Sequence, residues 1–240
     1  MKNLLQKALQ GKYAVPALNV NSMEMVQAVF SAAEKARSPA IIQVSPSALS
    51  YSGDLLPAIV FAAGKKFPKV PFALHLDHGR NLGDCKKAVS LGFSSVMIDA
   101  SINYEKKDSA GKHPQRKFSE NAALTKKAVK FAHAKKVSVE GEIGTLGGIE
   151  DSTFSSAHLT DPEEARAFVE ETGIDALAIA IGTSHGAYKF RGKPRLAFDV
   201  LQRTHRLLPE LPLVLHGASS VPAGVVSQCK KFGLQISSEA

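Results

Sequence analysis

Residues 72–99 read Phe-Ala-Leu-His-Leu-Asp-His-Gly-Arg-Asn-Leu-Gly-Asp-Cys-Lys-Lys-Ala-Val-Ser-Leu-Gly-Phe-Ser-Ser-Val-Met-Ile-Asp. An apolar run (72–76), an amphipathic helical run (82–91) and a second apolar run (95–98) follow one another with short polar joints. Strands that are apolar almost throughout, each followed by a helix, point to a parallel sheet buried on both faces. The same unit recurs on either side. Strands are predicted at Ala14–Leu18, Ala40–Val44, Phe72–Leu76, Ser95–Ile98, Val137–Glu140, Ala176–Ile181 and Leu213–Leu215. Between them lie helical patterns at Met23–Ala36, Asp54–Lys66, Leu82–Leu91, Asn121–Ala134, Pro162–Glu171 and Phe198–Leu208. Val26, Val29, Phe30 and Ala33 have the spacing of a buried helix stripe, and Asp161-Pro162-Glu163 is a capped helix start. Leu4, Leu5, Ala8 and Leu9 give one face of a short N-terminal helix. Seven such units in 240 residues, without a linker or a composition break, favour a TIM (β/α)8-type barrel, one domain over residues 1–240. No GxGxxG follows the first strand, which counts against a dinucleotide-binding sheet. One segment breaks the rhythm. Residues 102–118 are polar, basic and too long for a tight strand-to-helix joint, so a surface excursion is expected there.

Hydrophobic residues make up 44% of the chain and charged residues 22%, the balance of a protein with a real core, so wholesale disorder is excluded. The apolar stretches Ala176–Ile181 and Leu211–Leu215 fall far short of the roughly 20 residues that cross a bilayer. Lys2 and Lys7 are followed by no long apolar run, so the start does not read as a secretory leader. Cys85 and Cys229 make no disulfide framework and suit a reducing compartment. A cytoplasmic protein without membrane contact is expected. The net charge of +8 and pI near 9.4 raise the question of nucleic acid. The lysines, however, come in scattered pairs on polar helix faces with no aromatic interleaving. Solvated faces whose field draws anionic substrates account for the charge, and no nucleic-acid partner is expected.

Polar residues gather at the C-terminal ends of the strands, where a barrel enzyme keeps its site. The third strand ends Leu74-His75-Leu76-Asp77-His78-Gly79, the sixth Gly182-Thr183-Ser184-His185-Gly186, and the seventh Leu215-His216-Gly217-Ala218-Ser219. For one histidine alone, a hydrogen-bonded packing role is the simpler reading. Three at three strand ends point to a metal held by His78, His185 and His216, with an open fourth position for catalysis. His113, His133, His158 and His205 fall in loops or helices. His75, three residues before His78, is expected on the other face of its strand. The turns after His185 and His216 offer backbone N–H groups, hydroxyls and the Lys189 ammonium, which suit a phosphate. Asp77 is placed to contact a substrate hydroxyl. Gly147-Gly148 would give a flexible loop able to carry Glu150 over the site, the plainer reading being a solvated loop acid. Asp99 and Glu142 are inward candidates, either as a second cation position or as groups orienting the histidines.

These motifs, with Val96-Met97-Ile98-Asp99-Ala100-Ser101, Glu140-Gly141-Glu142-Ile143-Gly144 and Gly147-Gly148-Ile149-Glu150-Asp151, resemble the class II fructose-bisphosphate aldolases. The tagatose-bisphosphate aldolases belong to the same superfamily. The similarity runs in order from about Lys2 to the last residue. It implies zinc on His78, His185 and His216, Asp77 as acid/base at the C4 hydroxyl, and Glu150 as the loop acid moving the C3 proton. It also implies phosphate and monovalent-cation contacts at Gly186, Lys189, Gly217 and Ser219, and a substrate contact from Asn19. The implied activity is reversible cleavage of fructose 1,6-bisphosphate to the two triose phosphates in glycolysis and gluconeogenesis, by a homo-oligomer (dimer or tetramer). A zinc ion would be the electron sink in place of a Schiff-base lysine, for which the apolar strands offer no buried candidate.

Two departures from the family accompany the resemblance. The stretch around Glu105–Arg116 is inserted relative to the usual family loop. The family's eighth strand, with an Asn-x-Asp-Thr-Asp-like motif, has no counterpart before Ala240, so a barrel lacking that strand and open between its first and seventh strands is expected. Three other readings stand beside the leading one. They are a tagatose-bisphosphate aldolase, a zinc hydrolase on the same barrel, and a non-catalytic remnant that binds sugar phosphates.

Overall fold

The structure, a computed structural model, describes residues 1–109, 111–145, 147–150, 153–155, 158–185, 196–222, 224–225, 227, 229 and 234–239. For 147–150, 153–155, 184–185, 220 and 235–239 it describes the backbone alone. Seven parallel strands curl as expected: β1 (Val15–Asn19), β2 (Ala40–Val44), β3 (Phe72–Gly79), β4 (Ser95–Ile98), β5 (Ser138–Ile143), β8 (Ala176–Ile179) and β10 (Leu213–Leu215). A small sheet of β6 (Gly147–Glu150), β7 (Thr153–Ser155) and β9 (Ser184–His185) lies outside this series. The helices are α1 (Lys2–Gly11), α2 (Met23–Ala36), α3 (Pro46–Ser52), α4 (Leu55–Lys66), α5 (Leu82–Ser90), α6 (Phe118–His133), α7 (Pro162–Thr172) and α8 (Phe198–Leu207). The expected start of α7 is realised, with the Asp161 carboxylate accepting from the Glu163 and Glu164 amides at 2.8 and 3.0 Å.

The missing eighth strand is corrected. Leu234–Glu239 forms β11, which pairs in parallel with β1 (Val15↔Ile236, Ala17↔Ser238) and with β10 (Leu213↔Leu234, Leu215↔Ser237). The barrel closes in the order β1-β11-β10-β8-β5-β4-β3-β2 and is not open between β1 and β10. Two sheet edges with unpaired N–H and C=O groups form a strong template, and six residues suffice to satisfy both. Leu-Gln-Ile-Ser-Ser-Glu contains only two apolar residues, so it lacks the continuous apolar run by which the other strands announce themselves.

Period-two alternation sorts the strand residues into two cores. Val15, Ala17, Ile41, Ala73, Met97, Ala176, Ala178 and Val214 face inward and meet Leu5 and Ala8 of α1, which stoppers the N-terminal end. Val44, Leu74, Leu76, Val96, Val139, Leu177 and Leu215 face outward onto Phe30, Val60, Ala88, Ala128, Phe168 and Leu201 of the helices. The inward row turns polar toward the C-terminal ends: Gln43 after Ile41, His75 and Asp77 after Ala73, Asp99 after Met97, and His216 after Val214. All of these polar side chains are buried. The described lysine pairs (65–66, 86–87, 106–107, 126–127 and 135–136) are exposed, as solvated faces should be. Among the described residues no helix is long and apolar enough to cross a membrane.

Candidate functional site

The site begins with an irregularity in β3. Leu76 pairs with Val96 and Gly79 with Ile98, so three steps on β3 oppose two on β4. One extra residue is therefore accommodated at Asp77-His78, the signature of a β-bulge. His78 sits there at φ 45°, a left-handed conformation that costs a non-glycine residue on the order of 1 kcal/mol or more and recurs at functional sites. The bulge lets two consecutive side chains serve one site, where regular pleating would send them to opposite faces. Gly79 makes the close approach possible. A Cβ there would stand 2.6 Å from the Met97 carbonyl oxygen and 2.8 Å from Leu76.

The bulge also corrects the placement of His75, expected on the face opposite His78. With one residue added between them, both face the interior. His75 lies beneath the site, with Nδ1 on the Ser95 hydroxyl and Nε2 3.5 Å from Glu140.

Side chains from six strands hold the site together. Asp77 receives the Asn19 amide on Oδ2 at 2.7 Å and the Gln43 amide on Oδ1 at 3.0 Å, so both carboxylate oxygens are fixed from β1 and β2. His78 Nδ1 donates to Asp99 Oδ2 at 3.1 Å and lies 3.9 Å from Glu142. His216 Nε2 donates to Glu140 Oε1 at 2.8 Å, and its Nδ1 lies 3.8 Å from Asp77. The two imidazoles meet edge to face at 4.6 Å between centroids. Donor atoms of Asp77, His78 and His216 all lie within 4.8 Å of one another, and so do those of His78, Asp99 and Glu142.

This donor set fits a divalent ion. Bonds of about 2.0–2.2 Å from imidazole nitrogen or carboxylate oxygen reach a common centre across such separations. Each imidazole also hands one nitrogen to a buried carboxylate, Asp99 or Glu140. That selects Nε2 of His78 and Nδ1 of His216 as the nitrogens directed to an ion, the usual arrangement around metal-binding histidines.

Burial pushes the Asp99 carboxyl up, but hydrogen bonds from His78, Tyr104 and Ser101 outweigh it and hold the group below the ordinary carboxylate value. Burial raises Glu140, against the opposing pull of His75 and His78. Burial lowers His75 to about 4. The unfolded chain takes up a proton on this residue near pH 6.5, and the native protein does so only near pH 4. Stability from the neutral His75 is thus present above 6.5 and lost as pH falls toward 4, by roughly 3 kcal/mol. In metal-free protein the denaturant midpoint should fall more steeply over that window than in His75→Gln. Parallel slopes would show that His75 is not held neutral.

The remaining expectations divide by how far the structure describes them. His185 lies in β9, whose Ser184 and His185 pair in parallel with Gly147 and Gly148 of β6. Glu150, expected on a flexible loop, ends strand β6 and is paired with Thr153 of β7. The small sheet therefore joins the segments of His185 and Glu150. Gly186 and Lys189 lie outside the described residues. Gly217 is buried at φ 66° before a short 3-10 turn (Ala218–Ser220), and Ser219 is exposed. Glu140 and Gln43 were not singled out in the sequence, although parity carried the signal. Glu140 is two residues from Glu142 and must share its face, and Gln43 follows inward Ile41 by the same step.

Comparisons with known proteins identify the family. The sequence profile of the family described as "Fructose-bisphosphate aldolase class-II" matches residues 1–236. A fructose-bisphosphate aldolase of Giardia intestinalis is 48% identical over 97% of this chain and 69% of its own length. The solved YdjI aldolase of Escherichia coli K12 superposes with a TM-score of 0.82 at 32% identity, over 99% of this chain and 79% of that one. A Synechocystis fructose-bisphosphate aldolase class 2 is 42% identical over 97% of this chain and 68% of its own length. A closed barrel with two histidines and a carboxylate converging at its C-terminal end, together with a profile match over nearly the whole chain, leads to one conclusion: this chain belongs to the class II fructose-bisphosphate aldolase family.

Proposed function

We propose that the chain cleaves fructose 1,6-bisphosphate reversibly to dihydroxyacetone phosphate and glyceraldehyde 3-phosphate, using zinc held by His78, His185 and His216. The observation that carries this reading is the convergence of His78, His216 and Asp77, with a buried carboxylate behind each imidazole. Imidazole ligands without a thiolate favour zinc, with cobalt or manganese able to substitute. When bound, the ion supplies the positive charge that stabilises the electron pair left when the C3–C4 bond of a ketose breaks.

The chain's own residues do the rest. Asp77, its orientation fixed by Asn19 and Gln43, accepts the proton of the C4 hydroxyl as the aldehyde triose departs. Glu150 returns a proton to C3 of the remaining fragment. Gly186, Lys189, Gly217 and Ser219 hold a substrate phosphate and an accompanying monovalent cation. Asp99 and Glu142 face His78 Nδ1 at 3.1 and 3.9 Å and orient that imidazole. The two cysteines are buried free thiols, which suits a reducing cytoplasm.

A coupled triose-phosphate assay on fructose and tagatose bisphosphates tests the substrate. The fructose isomer should give the higher kcat/KM, and the reverse order would assign the tagatose activity. Glu150→Ala should slow exchange of the C3 proton of dihydroxyacetone phosphate with solvent by about 10²-fold or more. Exchange at the parental rate would remove Glu150 from the mechanism.

A further inference from the structure

The 102–118 excursion has no part in the proposed reaction, yet it reaches the site at one atom. Asp99 Oδ2, which accepts from His78 Nδ1, also accepts the hydroxyl of Tyr104, while Asp99 Oδ1 accepts from the Ser101 hydroxyl at 2.7 Å. Asp99 is only 1% exposed, so these donors and not water decide how its carboxylate is turned.

The excursion is built to hold that tyrosine. Ile102 and Gln115 form an antiparallel bridge, the Asn103 amide donates to Pro114 at 2.8 Å, and the Arg116 amide donates to Ser101 at 2.7 Å. The Glu105 amide donates to the Asn103 side chain at 3.1 Å, turning the chain directly after Tyr104. The Arg80 guanidinium lies over the phenol ring, 5.9 Å from its centroid, and the His113 ring packs beside it at 5.8 Å, tilted by 43°. These two neighbours hold the ring, and the hydroxyl is directed at Asp99.

We propose that Tyr104 is a positioning residue for the metal site: it locks the Asp99 carboxylate so that His78 presents Nε2 to the ion, and the excursion serves to deliver it. This rests on His78 being a metal ligand. The Cβ–Cγ torsion of a carboxylate is soft, so its plane is set by the donors it accepts. Three donors on two oxygens fix its plane. The plane matters here because His78 sits on a bulge in the left-handed region, where its own backbone is the irregular part of the strand. Its imidazole is aimed by Asp99, and Asp99 is aimed by Tyr104 and Ser101.

Tyr104→Phe keeps the ring against Arg80 and His113 and removes only the O–H, so it separates positioning from packing. In the full chain, competition with a chromophoric chelator should show zinc bound about tenfold more weakly in this variant. At saturating zinc, KM should stay within about twofold of the parent. Ser101→Ala, which strips the other oxygen, should weaken zinc similarly. The rise in melting temperature on adding zinc gives a second readout that cancels any loss of stability in the metal-free protein. It should be smaller in Tyr104→Phe than in the parent. Equal zinc affinities, or an equal zinc-induced rise despite a lower metal-free melting temperature, would overturn the proposal and leave Tyr104 a packing residue. If the parent binds zinc but cleaves no sugar bisphosphate, the functional reading fails while the zinc comparison still decides the role of Tyr104.

Discussion

Asp77→Ala is expected to lower kcat by about 10²–10⁴-fold, the range over which a positioned acid/base contributes, while the protein keeps its zinc. The reason is the division of labour in the bulge. Asp77 and His78 are neighbours in sequence and both face the site, but their surroundings differ. Both Asp77 oxygens accept amide donors from β1 and β2, an arrangement that orients an acceptor for a substrate proton. His78 is backed by a carboxylate, an arrangement that raises the basicity of a ligand. Steady-state kinetics paired with elemental analysis separates the roles. Loss of zinc along with activity would make Asp77 a ligand, a role that its place in the 4.8 Å group with His78 and His216 permits geometrically.

His216→Ala should have the second large effect, with loss of tightly held zinc and of cleavage together. It removes a ligand and also leaves Glu140, a buried carboxylate that accepts from His216 at 2.8 Å, with the longer 3.5 Å contact to His75. Glu140→Gln should be graded by comparison, weakening zinc by about 10–100-fold, the usual consequence of losing the partner behind a metal-binding histidine. Unchanged zinc affinity in Glu140→Gln would mean that Glu140 does not set the His216 ring. Zinc retained by His216→Ala at full occupancy would remove His216 from the ligand set.

Much of this is legible in the sequence. The β-rich apolar runs at 40–44, 95–98 and 213–215 and the helical stripe at 23–36 match their elements residue for residue, because burial on both sides of a parallel sheet leaves an unambiguous apolar signal. Helix α3 was not read, although Ser45-Pro46 offers a cap followed by proline at the first helical position. β11 escaped because its pairing is driven by the open edges of β1 and β10, which exist only once the rest of the barrel has curled. The histidines at strand ends could be named from chain order alone. What could not be read was the bulge. Alternation assigns His75 and His78 to opposite faces, and nothing in Leu-His-Leu-Asp-His-Gly marks the inserted step except the glycine that tolerates the close approach. Tyr104 was equally hidden, since its contact with Asp99 depends on a loop closing on itself across 102–115.

The central claim is that carbon–carbon cleavage here depends on a divalent ion at His78 and His216. Its most direct test is one titration, in which the protein is exhaustively chelated, assayed for triose phosphate release from fructose 1,6-bisphosphate, and then reloaded with zinc. The account predicts no measurable cleavage by the chelated protein, recovery on adding zinc to one equivalent per chain, and no inactivation by borohydride in the presence of substrate. Cleavage that survives chelation, or a substrate-derived adduct trapped on a lysine by borohydride, would contradict it.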